Sequence, residues 1–327
     1  MHIPENYLSP STCAVFGVAM IPLWTRSLTK VREELSPERL PLLGIGAAFS
    51  FLVMMLNLPL PGGTTGHAVG AALLAILLGP WSASLAVSMA LLVQALFFGD
   101  GGILPFAANC FNMAVLMPFT ASFLYRTLSG GAAPGSTRER GAAFVAAWTS
   151  LNLAAFSTAV MFGIQPLLFT DPAGQPLYAP YPLSVAIPAM MVPHLLVAGV
   201  AEGIATVLVL EFLRRTAPSL IARRSEGPSF RPAYLLLALL VAASPLGLLA
   251  AGTAWGEWGA EEIQALVGFI PRAFETGLQF EAPVPDYAFP GLSEVLGYVL
   301  SAAAGTSLLL GLFALARRLW NRTAPSR

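Results

Sequence analysis

Apolar runs of bilayer length recur from one end of this chain to the other, and they leave it few folds to choose from. In hydrocarbon no water satisfies the backbone N–H and C=O groups, so a run of about 20 apolar residues crosses as a helix. About nine such runs are read here, at approximately 11–25, 39–58, 65–79, 81–98, 104–125, 141–163, 183–213, 233–252 and 292–316. The expected fold class is therefore all-α, a polytopic membrane protein. Charged residues make up 10% of the chain against 56% hydrophobic, where a soluble domain carries about 25% charge. The net charge is zero, and no basic surface points to nucleic acid. Cys13 and Cys110 fall in apolar stretches without a CxxC pattern and read as packing residues.

The break at Gly79-Pro80-Trp81 decides the topology. Residues 65–98 could form one helix kinked at Pro80, or two spans. With two spans and the amino terminus outside, the arginines and lysine group on the cytoplasmic side. Arg26, Lys30, Arg32 and Arg39 fall in the first inner loop, and Arg126, Arg138 and Arg140 in a later one. Arg214, Arg215, Arg223, Arg224 and Arg231 follow, then Arg317, Arg318, Arg322 and Arg327 in the tail, with Arg272 left outside. A single span would invert everything downstream, so two are expected. The first run has no basic residue before it and is interrupted by Pro4 and Pro10 on its approach, so it is not read as a cleaved signal peptide.

That topology places Met1-His2-Ile3-Pro4 on the external face. A histidine at position two turns a free amino terminus into a chelator. The Met1 amine, the His2 amide (once deprotonated) and His2 Nδ1 close a five- and a six-membered ring. Three nitrogens are thereby held in a plane with one in-plane position open. Planar nitrogen donation favours Ni(II) or Cu(II). The bulky second residue is expected to discourage removal of Met1. Most second-position histidines bind nothing, so the dipeptide needs support from elsewhere in the chain.

The support comes from the external loop Asn57-Leu58-Pro59-Leu60-Pro61-Gly62-Gly63-Thr64-Thr65-Gly66-His67. Its prolines stiffen it, and its glycines permit close backbone approach. His67 is placed to give a fourth in-plane nitrogen; the plain alternative is a helix-capping histidine. The chain has three histidines. The third, His194, lies in the long seventh run with Glu202 eight residues later. Two readings stay open for this pair: polar cement bonding to Gln94, Asn109 or Asn112 of other helices, or a stage on the ion's route.

The stretches MHIPENYLSPST, PGGTTGH, GDGGILPFAANCFNMAV and HLLVAGVAEGIAT over residues 1–220 resemble the CbiM/NikM family. These are the substrate-binding membrane components of energy-coupling-factor transporters for cobalt and nickel. Residues 228–327, with two spans around a loop carrying PDYAFPG, look like the accessory CbiN/NikN component, fused behind the first. The resemblance implies metal ligation by Met1, His2 and His67 and a prokaryotic inner-membrane location. It also implies an EcfT-type coupling subunit and EcfA-type ATPases on separate chains; no GxxxxGK[ST] loop occurs here. Thr64, Thr65, Asn109, Asn112, His194 and Glu202 are candidates to support the ligands or to form an intramembrane polar network. Gly99-Asp100-Gly101-Gly102 reads as a tight turn or as support for the metal loop; small-residue rows such as Gly44/Ala48 are candidates for docking the coupling subunit, but such rows recur throughout the chain and do not single out a face.

No catalytic residues or cofactors are expected; Ni2+, then Co2+, is the cargo. Cobalt uptake for cobalamin synthesis is the nearest alternative. A secondary transporter would depend on Glu202, with Glu211 or Glu294, a thin supply of intramembrane carboxylates. A membrane metalloprotease would need an HExxH pair, which is absent. The acids of residues 253–291, Glu257, Glu261, Glu262, Glu275, Glu281 and Asp286, either attract cations or simply solvate an exposed loop.

Overall fold

A computed structural model describes residues 1–36, 38–60, 63–221, 229–250 and 252–323. The chain is mostly helical. Helix α1 spans Pro10–Glu34 and α2 Leu40–Met54. A hairpin of β1, Leu58–Leu60, and β2, Thr64–Gly66, follows. Then come α3, Ala71–Leu78, α4, Pro80–Phe98, α5, Phe106–Ser129, α6, Thr137–Leu168, α7, Leu183–Thr216, and α8, Arg231–Leu249. Helix α9 spans Glu294–Thr323. Six helices, α4 to α9, are long and apolar enough to cross a membrane, and α2 is a shorter apolar helix.

Local chemistry sets these boundaries. Ser9 caps α1, its Oγ accepting from Thr12 N at 3.1 Å with Pro10 next in the first turn. Ser136 caps α6 through Glu139 N. Gly79, at φ 88, stops α3, and Pro80 starts α4. The two elements expected on either side of Gly79 are therefore separate.

The third expected span, 65–79, is corrected. Only its last eight residues are helical; at 1.5 Å per residue that is about 12 Å, well short of a bilayer. Its first residues form the hairpin and an irregular turn instead. The pair still leaves on the side it entered, because Thr65 and His67 before α3 and Gly99 and Asp100 after α4 line one cavity. Arg26, Lys30 and Arg32, expected in a loop, lie on the last turns of α1.

The far ends of the helices share one charged region. Arg140 of α6 meets Glu211 of α7 at 3.2 Å, Arg214 pairs with Glu139, and the Arg32 guanidinium lies 5.8 Å from the Trp320 ring centre. At the centre stands α2, buried along nearly its whole length. Helices α4, α8 and α9 pack on it. Gly44 faces Phe313 of α9, where an added Cβ would sit 3.0 Å from Phe313 Cβ. The Gly44 row is thus filled by the chain's own last helix, which removes it as a candidate outer docking face.

Candidate metal centre

Residues 1–9 thread inward and are pinned at nearly every position. Ile3 N donates to Asn109 Oδ1 at 2.8 Å, Asn109 Nδ2 returns a bond to Ile3 O at 3.1 Å, and Gly102 N donates to the same carbonyl at 2.9 Å. The Glu5 carboxylate accepts from Ile103 N and Leu104 N. Tyr7 donates its hydroxyl to Trp258 O at 2.8 Å, and Asn6 Nδ2 donates to Leu278 O at 3.0 Å. Met1, His2 and Ile3 are consequently buried. The Gly-rich turn after α4 exists to let this segment in. A Cβ on Gly101, which sits at φ 84, would lie 3.3 Å from the His2 ring, and one on Gly102 would lie 2.7 Å from Glu5 N.

His67 follows β2 directly. The hairpin register, Leu58 opposite Gly66 and Leu60 opposite Thr64, sets its position. His67 Nδ1 bonds Ala68 O at 3.0 Å, which makes Nδ1 the protonated nitrogen and leaves Nε2 with its lone pair. Nε2 of His67 and Nε2 of His2 are both buried without a hydrogen-bond partner. The two rings lie 5.0 Å apart between centres. Burial, reinforced by the amino terminus and His2, holds the His67 pKa well below its usual range, so the ring is neutral and able to ligate.

Two carboxylates complete the group. Asp100 Oδ1 lies 3.0 Å from His2 Nδ1, and Glu257 Oε1 lies 3.2 Å from the Met1 amine. Ligand atoms of His2, Asp100 and Glu257 all fall within 4.8 Å of one another, a grouping that could hold a metal ion. Burial alone would raise the Asp100 pKa, but the charge and hydrogen bond of His2, helped by His67 and Tyr287, outweigh it and keep the carboxyl ionised. Asp100 Oδ2 accepts from the Tyr287 hydroxyl at 2.6 Å and from Gln94 Nε2 at 3.0 Å. An open cavity of about 550 Å³ lies against His2, Thr65, His67, Asp100, Glu257 and Tyr287.

The expected supporting residues divide. Asn109 fastens the amino-terminal segment, and Thr65 lines the cavity. Thr64 Oγ1 donates instead to Thr253 O at 3.2 Å. Asn112 ties α5 to α6 through Thr158 Oγ1 at 2.9 Å, away from the histidines. His194 bonds Met190 O at 2.6 Å within its own helix, and Glu202 accepts from Val69 N and Gly70 N. The expected pairing of His194 or Glu202 with Gln94, Asn109 or Asn112 is thus replaced by bonds to backbone. The sequence reading missed Asp100 and Glu257 as direct partners of the amino terminus. Asp100 had a signal, since it sits inside the glycine run; Glu257 had none that set it apart from its acidic neighbours.

The CbiM model, described as cobalt uptake substrate-specific transmembrane region, matches residues 2–220, and a PDGLE domain model matches residues 230–322. The chain is 48% identical to the fused nickel transport protein NikMN of Rhodobacter capsulatus, over 97% of this chain and 99% of that protein. It is 45% identical to the probable fused nickel transport protein LarMN of Lactiplantibacillus plantarum, over 95% of each. A crystal structure of a truncated transition metal transporter superposes with a TM-score of 0.62 at 49% identity, covering 66% of this chain and 99% of the other.

Proposed function

This chain belongs to the CbiM family of cobalt-uptake substrate-specific transmembrane regions, fused to a PDGLE domain, and from that premise we propose how it takes up its ion. It is a multi-pass membrane component of a metal uptake system, and not an enzyme. We infer that it captures Ni2+, with Co2+ next in preference, at the external face. The ligands are the Met1 amine, the His2 amide and Nδ1, and His67 Nε2. ATP hydrolysis on separate EcfA-type subunits, relayed by an EcfT-type subunit, drives release to the cytoplasm. Residues 1–220 carry the ion, and residues 228–327 close over it.

The observation that carries this reading is the buried His2–His67 pair, 5.0 Å apart, with His67 Nε2 unpartnered beside an open cavity. Among the described residues, the Met1 amine is paired with Glu257 and His2 Nδ1 with Asp100. An arriving ion takes His2 Nδ1 from Asp100 and the amine from Glu257, and both carboxylates then stand beside it as counter-charges in a poorly hydrated site. The amine and amide must lose protons to bind, so affinity falls with pH. Exchange coupled to another ion through Glu202 and His194 is less well supported, because Glu202 Oε2 and His194 Nδ1 are already bonded to backbone groups, leaving one unpartnered atom on each.

The test is the visible spectrum of the Ni(II)-loaded protein together with two variants. Wild type is expected to show a square-planar Ni(II) band. Inserting one alanine after Met1 rebuilds the chelate rings, and His67→Ala removes the fourth nitrogen; both are expected to weaken Ni(II) binding by at least about 100-fold. Unchanged affinity in both variants refutes the ligand set.

A further inference from the structure

Glu202 is a buried carboxylate midway along α7 to which capture by four nitrogens gives no task. A carboxylate in a membrane interior is costly unless its partners hold it. Its partners are specific. Oε2 accepts from Val69 N at 2.7 Å and from Gly70 N at 3.0 Å. These are the second and third residues after His67, and they open α3. Helix α3 has no side-chain cap of its own, since Gly70 at φ 75 stands in its N-cap position. A side-chain carboxyl from α7 therefore supplies the cap.

The rest of the surroundings make this a rigid mounting. Ser50 Oγ of α2 donates to Val69 O at 2.7 Å, so the turn behind His67 is held from two helices. On the neighbouring face of α7, Gly203 lies against the Phe144 ring of α6, and Gly199 against Trp148 and Asn152. Helix α7 thus cannot shift toward α6 to relax its grip on the turn. Its far end is anchored by the Glu211, Arg214, Glu139 and Arg140 ion pairs.

We propose that Glu202 is the positioning residue of the metal centre: through the Val69 and Gly70 N–H groups it holds His67 at the depth where Nε2 meets the ion. This rests on His67 being a ligand, as proposed above. Without the carboxylate, ordering the turn would draw on metal-binding energy, and affinity would fall. Glu202→Gln, which keeps the shape and one acceptor oxygen, should therefore lose less than Glu202→Ala.

The experiment is a double-mutant cycle in the purified full-length protein, read by Ni(II) titration and visible spectrum below the melting temperature. Glu202→Ala is expected to raise the Ni(II) Kd by about 10- to 100-fold and Glu202→Gln by about threefold. On a His67→Ala background, Glu202→Ala should cost nothing further, because there is no ligand left to position. Its Ni(II) band should move toward that of His67→Ala. Losses that add across the cycle, or a Glu202→Ala protein that melts earlier yet binds and absorbs as wild type, overturn the proposal and leave Glu202 as bundle cement. If Glu202→Ala does not fold, Glu202→Gln carries the same cycle with a smaller expected loss. A His67→Ala protein that binds like wild type overturns the ligand set itself, and the positioning role with it.

Discussion

At the scale of single residues, Glu257 lies against the Met1 amine and Asp100 against His2 Nδ1. Asp100 and Glu257 can act in two opposed ways, as competitors for those nitrogens or as counter-charges for the ion. The buried setting favours the second, since a divalent cation without nearby negative charge is poorly solvated there. Asp100→Asn is therefore expected to weaken Ni(II) binding about tenfold in titration, while Asn still accepts from Tyr287. Tighter binding in that variant would identify Asp100 as a competitor. The depressed His67 pKa makes a separate prediction for the metal-free protein. His67 is neutral when folded but takes up a proton in the unfolded chain below about pH 6.5, so there the unfolded state binds more protons. Stability then rises with pH in that window and is lost on acidification. The melting temperature should fall between about pH 7 and pH 5, and His67→Gln should flatten that fall. Asp100 has the same sense, but its stabilisation is lost only on acidification into and below the ordinary carboxylate range, so it contributes nothing to this window. That Met1 and His2 can chelate was legible because chelate-ring size follows from covalent structure; that His67 lies near them was legible only through the topology, which put both on one face. Asp100 and Glu257 were not, because their partnership depends on two loops remote in sequence meeting over the amino terminus.

At the scale of elements, helix existence was readable and helix extent was not. Hydropathy located each helix, but α3 stops at eight residues because Gly79 ends it and the hairpin takes the residues before it. That shortening places His67 below the end of the hairpin, within the protein. Three helices carry wide π-type turns, at Gln94–Phe98, Cys110–Leu116 and His194–Ala198. Gln94, which reaches Asp100, starts the first of them. Such turns are frequent at functional sites, and no hydropathy pattern signals them. The glycines of the α2–α9 contact were visible as small residues, but not what they meet. Gly44 faces Phe313, and Gly305 faces the Phe51 ring. Gly44→Ile should push these helices apart, costing about 1–3 kcal/mol, seen as a lower melting temperature of the metal-free protein. An unaltered melting curve would show that α9 does not press on α2 in the membrane.

At the scale of the whole molecule, the region after 230 is bound to the rest by contacts along its entire length. Tyr298 donates to Met55 O at 2.7 Å, Tyr287 reaches Asp100, Glu257 meets the Met1 amine, and Trp258 receives Tyr7. These contacts, with the α2–α9 packing, should hold the two parts together without the covalent link. A protease site inserted between residues 222 and 228 and cleaved after purification should leave both fragments eluting together and Ni(II) binding unchanged. Separation of the fragments in mild detergent would mean that the linker, and not the interface, maintains the assembly. The sequence by itself determined that this chain must be a helical membrane protein, since apolar runs in hydrocarbon have to satisfy their own backbone, and that its first two residues can chelate. It also carried the family motifs. Only the tertiary structure decided which carboxylates face those nitrogens, that α7 caps the turn behind His67, and that the last helix fills the groove at Gly44. The physical reason is range: hydropathy, capping and chelation act over a few bonds or one helical turn, whereas these contacts join residues about 100 to 270 positions apart that packing alone brings together.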